Sequence, residues 1–187
     1  EIAKNIENVP EKHKEALKSS LTKYNAIFSR HPNDSGLNGS YLVDLRLKDP
    51  TNTEPTFCRP YRLDPKIEEK LKEKCMEMQE SGILETCSSA WNSPAIAITK
   101  RDGRIRLVNN YSTGVNERLV CTNYPIPPIR ALNATISQVI SEIKRSAPDE
   151  EIFFSSLDLK NGFYCVSIAK SGRDKSAFII SDKQFRY

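Results

Sequence analysis

Apolar residues recur at helical spacing in three segments of this chain, which predicts three helices. The first lies within residues 1–30, where lysines fill the remaining positions, and its apolar members are Leu17, Leu21, Tyr24 and Phe28. The second begins at Asp64-Pro65, an N-cap residue followed by a first-turn proline, and ends at Gly82. Its apolar stripe is Ile67, Leu71, Cys75 and Met78. The third follows the prolines at 125–128, with Ile129, Leu132, Ile136, Ile140 and Ile143 on one face.

Short apolar or alternating runs predict strands between and after these helices. Residues 41–47 alternate, and residues 93–111 form a hairpin around Asp102-Gly103, a strong turn signal. Further strands are predicted at 152–157, 164–168 and 177–180. Helices and hairpins are mixed without regular β-α-β repeats, so the sequence indicates an α+β fold.

Composition limits the class of protein. A chain of 187 residues is long enough to bury a real core, in one domain or two small lobes. It has no apolar run long enough to span a membrane and no signal-like amino terminus, so we expect a soluble protein with no membrane partner. Its five cysteines are scattered and odd in number, which favours a reducing, intracellular location in the cytoplasm or nucleus. The net charge of +4 permits nucleic-acid binding without demonstrating it.

Asp158 is the residue that most needs an explanation. It follows the strand formers Ile152, Phe153, Phe154 and Leu157, so we expect it at the end of a buried strand. An unpaired charge there is costly, and such a carboxylate is usually paired, hydrogen-bonded or bound to a metal. The alternative is a turn-former, whose side chain bonds the backbone amides of the following Gly-containing turn.

Positive charge is concentrated on the hairpin, at Lys100, Arg101, Arg104 and Arg106. The Asp102-Gly103 turn places these side chains near its tip. Arginine suits bidentate contact with a phosphate, and lysine supplies a point charge. The alternative is a solvated, charged surface hairpin with no ligand.

The order of several motifs resembles one family. Residues 154–163 read F-S-S-L-D-L-K-N-G-F, close to the F-S-x-L-D-L-x-x-G-Y of reverse transcriptases from LTR retrotransposons of the Ty3/gypsy type. The hairpin at 93–111, Tyr-Pro-Ile-Pro at 124–127 and Lys-Ser-Ala-Phe at 175–178 stand in the matching order. The resemblance covers residues 58–187. It implies a connector with one helix and one strand at 1–57, fingers at 58–122, a partial palm at 123–164 and a return to the fingers at 165–187.

The resemblance makes Asp158 the first catalytic aspartate and a ligand of Mg²⁺. Phosphoryl transfer of this kind uses two divalent cations, and Mg²⁺ prefers carboxylate oxygens. The family supplies the other carboxylates from a Y-x-D-D hairpin, and this sequence contains no Y-x-D-D. Asp158 is therefore one ligand of an incomplete site, and we expect this chain to be inactive alone.

The same resemblance implies a nucleotide-binding role for five further residues. Lys100 and Arg106 would close over the phosphates of the incoming dNTP, with Asn161 and Gly162 offering backbone amides. The ring of Phe163 would pack under the sugar and exclude a 2′-hydroxyl by steric clash. For Phe163 the alternative is a core aromatic beside a turn.

The chain also departs from the family pattern at two places. Asn110-Tyr111-Ser112 stands where the family usually has Asp-Tyr-Arg, so both charges are absent together. Phe163-Tyr164-Cys165 replaces Tyr-His-Gln. These changes are compatible with an active enzyme and also with a redirected function.

Three hypotheses follow. The first is a fragment of an RNA-directed DNA polymerase that acts on an RNA or DNA primer-template. The second is a domesticated, non-catalytic retroelement protein that binds other proteins, and the third is a nucleic-acid-binding module without chemistry. In the first two, the missing palm hairpin would leave a strand edge and apolar residues open to a partner or to self-association.

Overall fold

The computed structural model describes residues 9–29, 38–121 and 124–187, and the chain divides into two compact units. The first unit comprises residues up to 120 together with 160–187, and the second comprises 121–159. Residues 31–37 of the predicted connector and residues 122–123 lie outside the described residues. The division into connector, fingers, palm and return to fingers stays a prediction.

The described residues contain four α-helices and seven strands. The helices are α1 (Glu11–Lys23), α2 (Pro65–Glu80), α3 (Val115–Arg118) and α4 (Ile129–Ser146). The strands are β1 (Asn38–Val43), β2 (Glu85–Thr86), β3 (Ala95–Thr99), β4 (Ile105–Asn109), β5 (Val166–Ile168), β6 (Phe178–Ile180) and β7 (Lys183–Arg186).

Helix α2 forms where the sequence predicts it, with both ends set by local signals. The Asp64 carboxylate accepts a hydrogen bond from the Lys66 N–H at 2.9 Å, which satisfies one of the unpaired amides of the first turn. Gly82 has φ +72°, and the following Ile83 N–H donates to the Met78 carbonyl at 2.9 Å. The apolar stripe of the helix turns inward, so that Leu71 and Cys75 are fully buried.

The core of the first unit lies between α2, the antiparallel hairpin β3-β4 and a three-stranded antiparallel sheet of order β2-β7-β6. Phe178 and Phe185 face each other across β6 and β7, and their ring centroids are 5.9 Å apart. Burial of such aromatic side chains supplies much of the driving force for folding. The buried members of this core are Leu71, Cys75, Met78, Leu84, Ala95, Leu107, Phe178, Ile180 and Phe185.

The amino-terminal elements differ in part from the sequence prediction. The strand expected at 41–47 overlaps β1 only at 41–43, because β1 starts earlier and ends at Val43, and it pairs in parallel with β5. Helix α1 is confirmed, but a 3₁₀ turn at Asn25–Ile27 interrupts the predicted stripe before Phe28. No residue of α1 is buried.

The second unit contains α4, whose apolar face is only partly covered. Ile152, Phe153 and Phe154 line a groove of about 240 Å³ together with apolar residues of α4. No helix among the described residues is both long and apolar enough to cross a bilayer.

The predicted buried strand leading to Asp158 is wrong. Residues 151–159 have no regular secondary structure, and Phe154 and Leu157 are 72% and 91% exposed. A strand forms only when another strand takes up its backbone N–H and C=O groups. No described strand pairs with this segment.

Candidate nucleotide-binding site

The basic hairpin has the predicted geometry. Strands β3 and β4 pair in register from Ala95↔Asn109 to Thr99↔Ile105. At the tip, the Gly103 N–H donates to the Lys100 carbonyl at 3.0 Å, and the Lys100 N–H donates to the Arg104 carbonyl at 2.8 Å. Gly103 has φ +79°, which glycine adopts without steric cost. The Asp102-Gly103 turn is therefore confirmed.

Within the tip, Arg104 is engaged by Asp102. Its Nε donates to Asp102 Oδ2 at 2.8 Å, and its backbone N–H donates to Asp102 Oδ1 at 3.1 Å. The side-chain hydrogen bond from Arg104 holds the pKa of Asp102 below its ordinary value. Sequence reasoning missed this pair, although the i, i+2 spacing across a turn was available as a signal. Lys100, Arg101 and Arg106 are exposed on the same hairpin.

The turn that carries Phe163 is compact and projects its ring outward. Asn161 adopts the left-handed conformation with φ +53°, and Gly162–Tyr164 form one 3₁₀ turn. The Tyr164 N–H donates to the Asn161 carbonyl at 2.7 Å. Phe163 is 89% exposed, whereas Tyr164 is half-buried. The alternative that Phe163 is a core aromatic is therefore wrong.

The turn that bears Phe163 and the hairpin that bears Arg106 lie in the same unit. Burial raises the pKa of the Tyr164 hydroxyl, and a side-chain hydrogen bond with Tyr187 and the positive charge of Arg106 act in the opposite direction.

Asp158 is exposed and lies in the second unit, whereas the five predicted nucleotide-binding residues lie in the first. The part of the chain that the structure describes contains no group of three or more His, Cys, Asp or Glu residues that could hold a metal ion. A pair of Mg²⁺ ions needs several carboxylates. The described residues therefore do not fit a complete Mg²⁺ site.

At the first place where the chain departs from the family pattern, Asn110 and Ser112 are hydrogen-bonded to each other. Ser112 Oγ donates to Asn110 Oδ1 at 2.5 Å, and Asn110 Nδ2 donates to the Tyr61 hydroxyl at 3.0 Å. The loss of both charges at these positions therefore leaves neither side chain without a partner.

Sequence reasoning also missed a partly buried aromatic cluster around Tyr187. Its ring stacks on Tyr164 with centroids 5.9 Å apart, and its hydroxyl donates to Asn109 Oδ1 at 2.8 Å. Burial raises the pKa of Tyr111 and of Tyr187 well above the ordinary value for tyrosine. No local pattern marks these residues, because the contacts join segments far apart in the sequence.

Comparison with known proteins confirms the resemblance. No protein-family model matches the chain. The chain is 26% identical over 186 residues to the retrovirus-related Pol polyprotein from transposon 412 of Drosophila melanogaster, which covers 96% of the chain and 14% of that polyprotein. It is 22% identical over 185 residues to the Pol polyprotein from transposon gypsy of the same organism, covering 96% and 16%. The chain thus spans about a seventh of these retroelement polyproteins.

Solved structures confirm the fold. The prototype foamy virus protease-reverse transcriptase matches with a TM-score of 0.73 and 23% identity, over 96% of this chain and 22% of that one. A foamy viral protease-reverse transcriptase in complex with an RNA/DNA hybrid matches with a TM-score of 0.70 and 19% identity, over 98% of this chain and 22% of that one. The chain therefore has the α+β fold of the fingers and partial palm of a reverse transcriptase.

Proposed function

We propose that this chain is the fingers and first part of the palm of an RNA-directed DNA polymerase, and that it binds the incoming dNTP over a primer-template. Its similarity to retroelement Pol polyproteins and the titles of the foamy viral complexes support this proposal. The observation that carries it is the exposed ring of Phe163 on its left-handed turn, in the same unit as the exposed cations of the β3-β4 hairpin.

Each part of this surface suits one part of a nucleoside triphosphate. Lys100 and Arg106 are exposed cations on the β3-β4 hairpin, and an arginine can bind a phosphate group through two parallel hydrogen bonds. The left-handed Asn161 and the following Gly162 begin this turn, and a glycine allows a phosphate to approach the backbone closely. Phe163 presents a rigid ring that a 2′-hydroxyl would strike.

Asp158 is proposed as one carboxylate of the catalytic site, with its metal-binding partners supplied from elsewhere in a complete polymerase. The chain alone is proposed to be catalytically inactive, because its described residues do not form a site for two metal ions.

Binding of dATP to the chain tests the proposal, measured by competition against a fluorescent dATP analogue. Arg106→Ala should weaken dATP binding about tenfold or more, because it removes a charge-assisted contact. Arg101→Ala is the matched control, since it removes an exposed arginine from the same hairpin that has no proposed phosphate contact. Equal dATP affinity in the Arg106→Ala and Arg101→Ala variants would rule out this function for the hairpin.

The exposed apolar residues favour a second candidate, a non-catalytic protein-interaction module. Phe153, Phe154, Leu157 and Leu159 are all exposed in the second unit, and the first two line a groove with the apolar face of α4. Large exposed apolar patches mark interaction surfaces. This candidate requires that the chain self-associate or bind a protein partner without needing a nucleotide.

A further inference from the structure

Tyr187 contacts both elements of the proposed nucleotide site. Its ring is stacked on Tyr164, the residue after Phe163, at a centroid distance of 5.9 Å and an interplanar angle of 18°. Its hydroxyl donates to Asn109 Oδ1 at 2.8 Å. Asn109 ends β4, the strand that carries Arg106. One side chain therefore connects the Phe163 turn to the Arg106 strand.

The Asn109 end of this connection depends on the Tyr187 hydroxyl. Asn109 Nδ2 is buried and has no hydrogen-bond partner among the described residues. The bond from Tyr187 to Oδ1 is thus the side-chain contact that orients this amide. Arg106 stands three residues earlier on the strand, at a fixed spacing of about 10 Å along the backbone.

Tyr187 is itself held firmly. Its backbone N–H donates to Ser176 Oγ at 3.1 Å, and Ser176 Oγ donates to the Arg173 carbonyl at 2.6 Å. The ring of the fully buried Phe178 lies 5.8 Å from the Tyr187 ring. Burial raises the pKa of the Tyr187 hydroxyl, so the hydroxyl remains a protonated donor at neutral pH. These contacts make the side chain a stiff spacer.

We propose that Tyr187 is a positioning residue that fixes the distance between Phe163 and Arg106. This proposal rests on the proposed function. A nucleoside triphosphate that places its sugar against Phe163 reaches Arg106 with its phosphates only when that distance is held. Tyr187 touches neither part of the nucleotide and acts through Tyr164 and Asn109.

Tyr187→Phe is the informative variant, because it keeps the ring and its stack on Tyr164 and removes the hydroxyl, which bonds Asn109 Oδ1 and interacts with the Tyr164 side chain. Tyr111→Phe is the matched control. It also removes a partly buried tyrosine hydroxyl, which donates to the Ser176 carbonyl at 3.1 Å. Among the described contacts, this hydroxyl forms no hydrogen bond with Asn109 or Tyr164. Both variants lose a partly buried hydrogen bond, so both should lower the melting temperature, and Tyr187→Phe should lower it at least as much as Tyr111→Phe.

Nucleotide binding separates the two variants. Tyr187→Phe should weaken dATP binding about three- to tenfold and reduce the ratio of dATP affinity to ATP affinity. Tyr111→Phe should change the dATP affinity and this ratio by no more than about twofold. In an Arg106→Ala background the effect of Tyr187→Phe on dATP affinity should disappear, because the contact that it positions is absent. A tenfold-weaker dATP affinity that persists in that background would overturn the positioning role.

Amide hydrogen exchange tests the connection without a nucleotide. In Tyr187→Phe the Tyr164 and Cys165 amides, which donate to Asn161 and Gly162 carbonyls, should exchange about threefold faster than in Tyr111→Phe. Equal exchange rates of these amides in the two variants would show that Tyr187 does not connect the Phe163 turn to β4, and would leave the proposed function untouched. Equal dATP binding by the unmodified chain and Arg106→Ala would overturn the proposed function, and with it the role of Tyr187 in nucleotide binding.

Discussion

Replacing Gly114 by alanine should destabilise the first unit strongly. Gly114 precedes α3 with φ +120°, a conformation that L side chains rarely adopt. A Cβ atom at this position would lie 2.5 Å from Thr56 Cγ2 and 3.3 Å from Thr56 Oγ1. Thr56 cannot withdraw freely, because its carbonyl accepts a hydrogen bond at 2.9 Å from the N–H of the fully buried Asn92.

Two costs add at this position. The strained backbone should cost about 1–3 kcal/mol. Overpacking against the Thr56 methyl should cost a further ~1–3 kcal/mol. The matched control is Gly103→Ala, since Gly103 also has a positive φ but a Cβ there meets nothing within 4 Å. The free energy of unfolding of this control should fall only by the cost of backbone strain, about 1–2 kcal/mol.

Urea denaturation of each variant measures the free energy of unfolding. Thr56→Ser removes the nearest methyl group. In the Gly114→Ala background it should therefore restore the part of the free energy of unfolding that the steric clash removes. Thr56→Ser in the unmodified chain is the reference for this comparison. The reasoning is refuted if Gly114→Ala costs no more than Gly103→Ala, or if Thr56→Ser recovers nothing.

Three further predictions concern activity, association and pH. The 187-residue chain with Mg²⁺, dNTPs and a primer-template should give no primer extension, and template-dependent extension would contradict the incomplete site. Static light scattering should show self-association of the chain, and a soluble, monodisperse monomer that persists after deletion of residues 1–30 would show that no unsatisfied palm surface exists. Hydrogen bonds from the Thr51 and Asn52 side chains lower the pKa of Asp49 from 3.8 to about 2. The ionised Asp49 therefore contributes stability above about pH 4 that is lost as the pH falls toward 2, and Thr51→Val should raise this pKa toward 3.8 in an NMR titration. An unchanged Asp49 pKa in that variant would show that the hydrogen bond is not its cause.

The elements that sequence analysis predicted correctly are those with local signals. Asp64, Pro65 and Gly82 mark the ends of α2, and the stripe at Leu71, Cys75 and Met78 identifies its buried face. The β3-β4 hairpin was likewise predictable, because its turn and both strands lie within 15 consecutive residues (95–109). In both cases the determining interactions join residues close in sequence.

The features that were missed depend on contacts between distant segments. The run before Asp158 has the composition of a strand, but composition cannot supply the pairing strand, and Leu157 is exposed. The Tyr187–Asn109 hydrogen bond joins residues 78 positions apart, and no pattern near either residue indicates it. The roles of Asp158, Lys100, Arg106, Asn161, Gly162 and Phe163 stay predictions.

The division of the first unit into two stretches of chain has a consequence for its synthesis. Glu85 on β2 contacts Arg186 on β7, 101 positions later, so the sheet that closes the core is completed by the last residues of the unit. Helix α2 and the β3-β4 hairpin emerge from the ribosome first, and their apolar faces stay uncovered until Phe178 and Phe185 have been synthesised. At about 5–20 residues per second this interval lasts about 4–16 s, which is long compared with the formation of a local helix. The nascent chain is therefore most exposed to aggregation after the hairpin has formed and before β7 has been made.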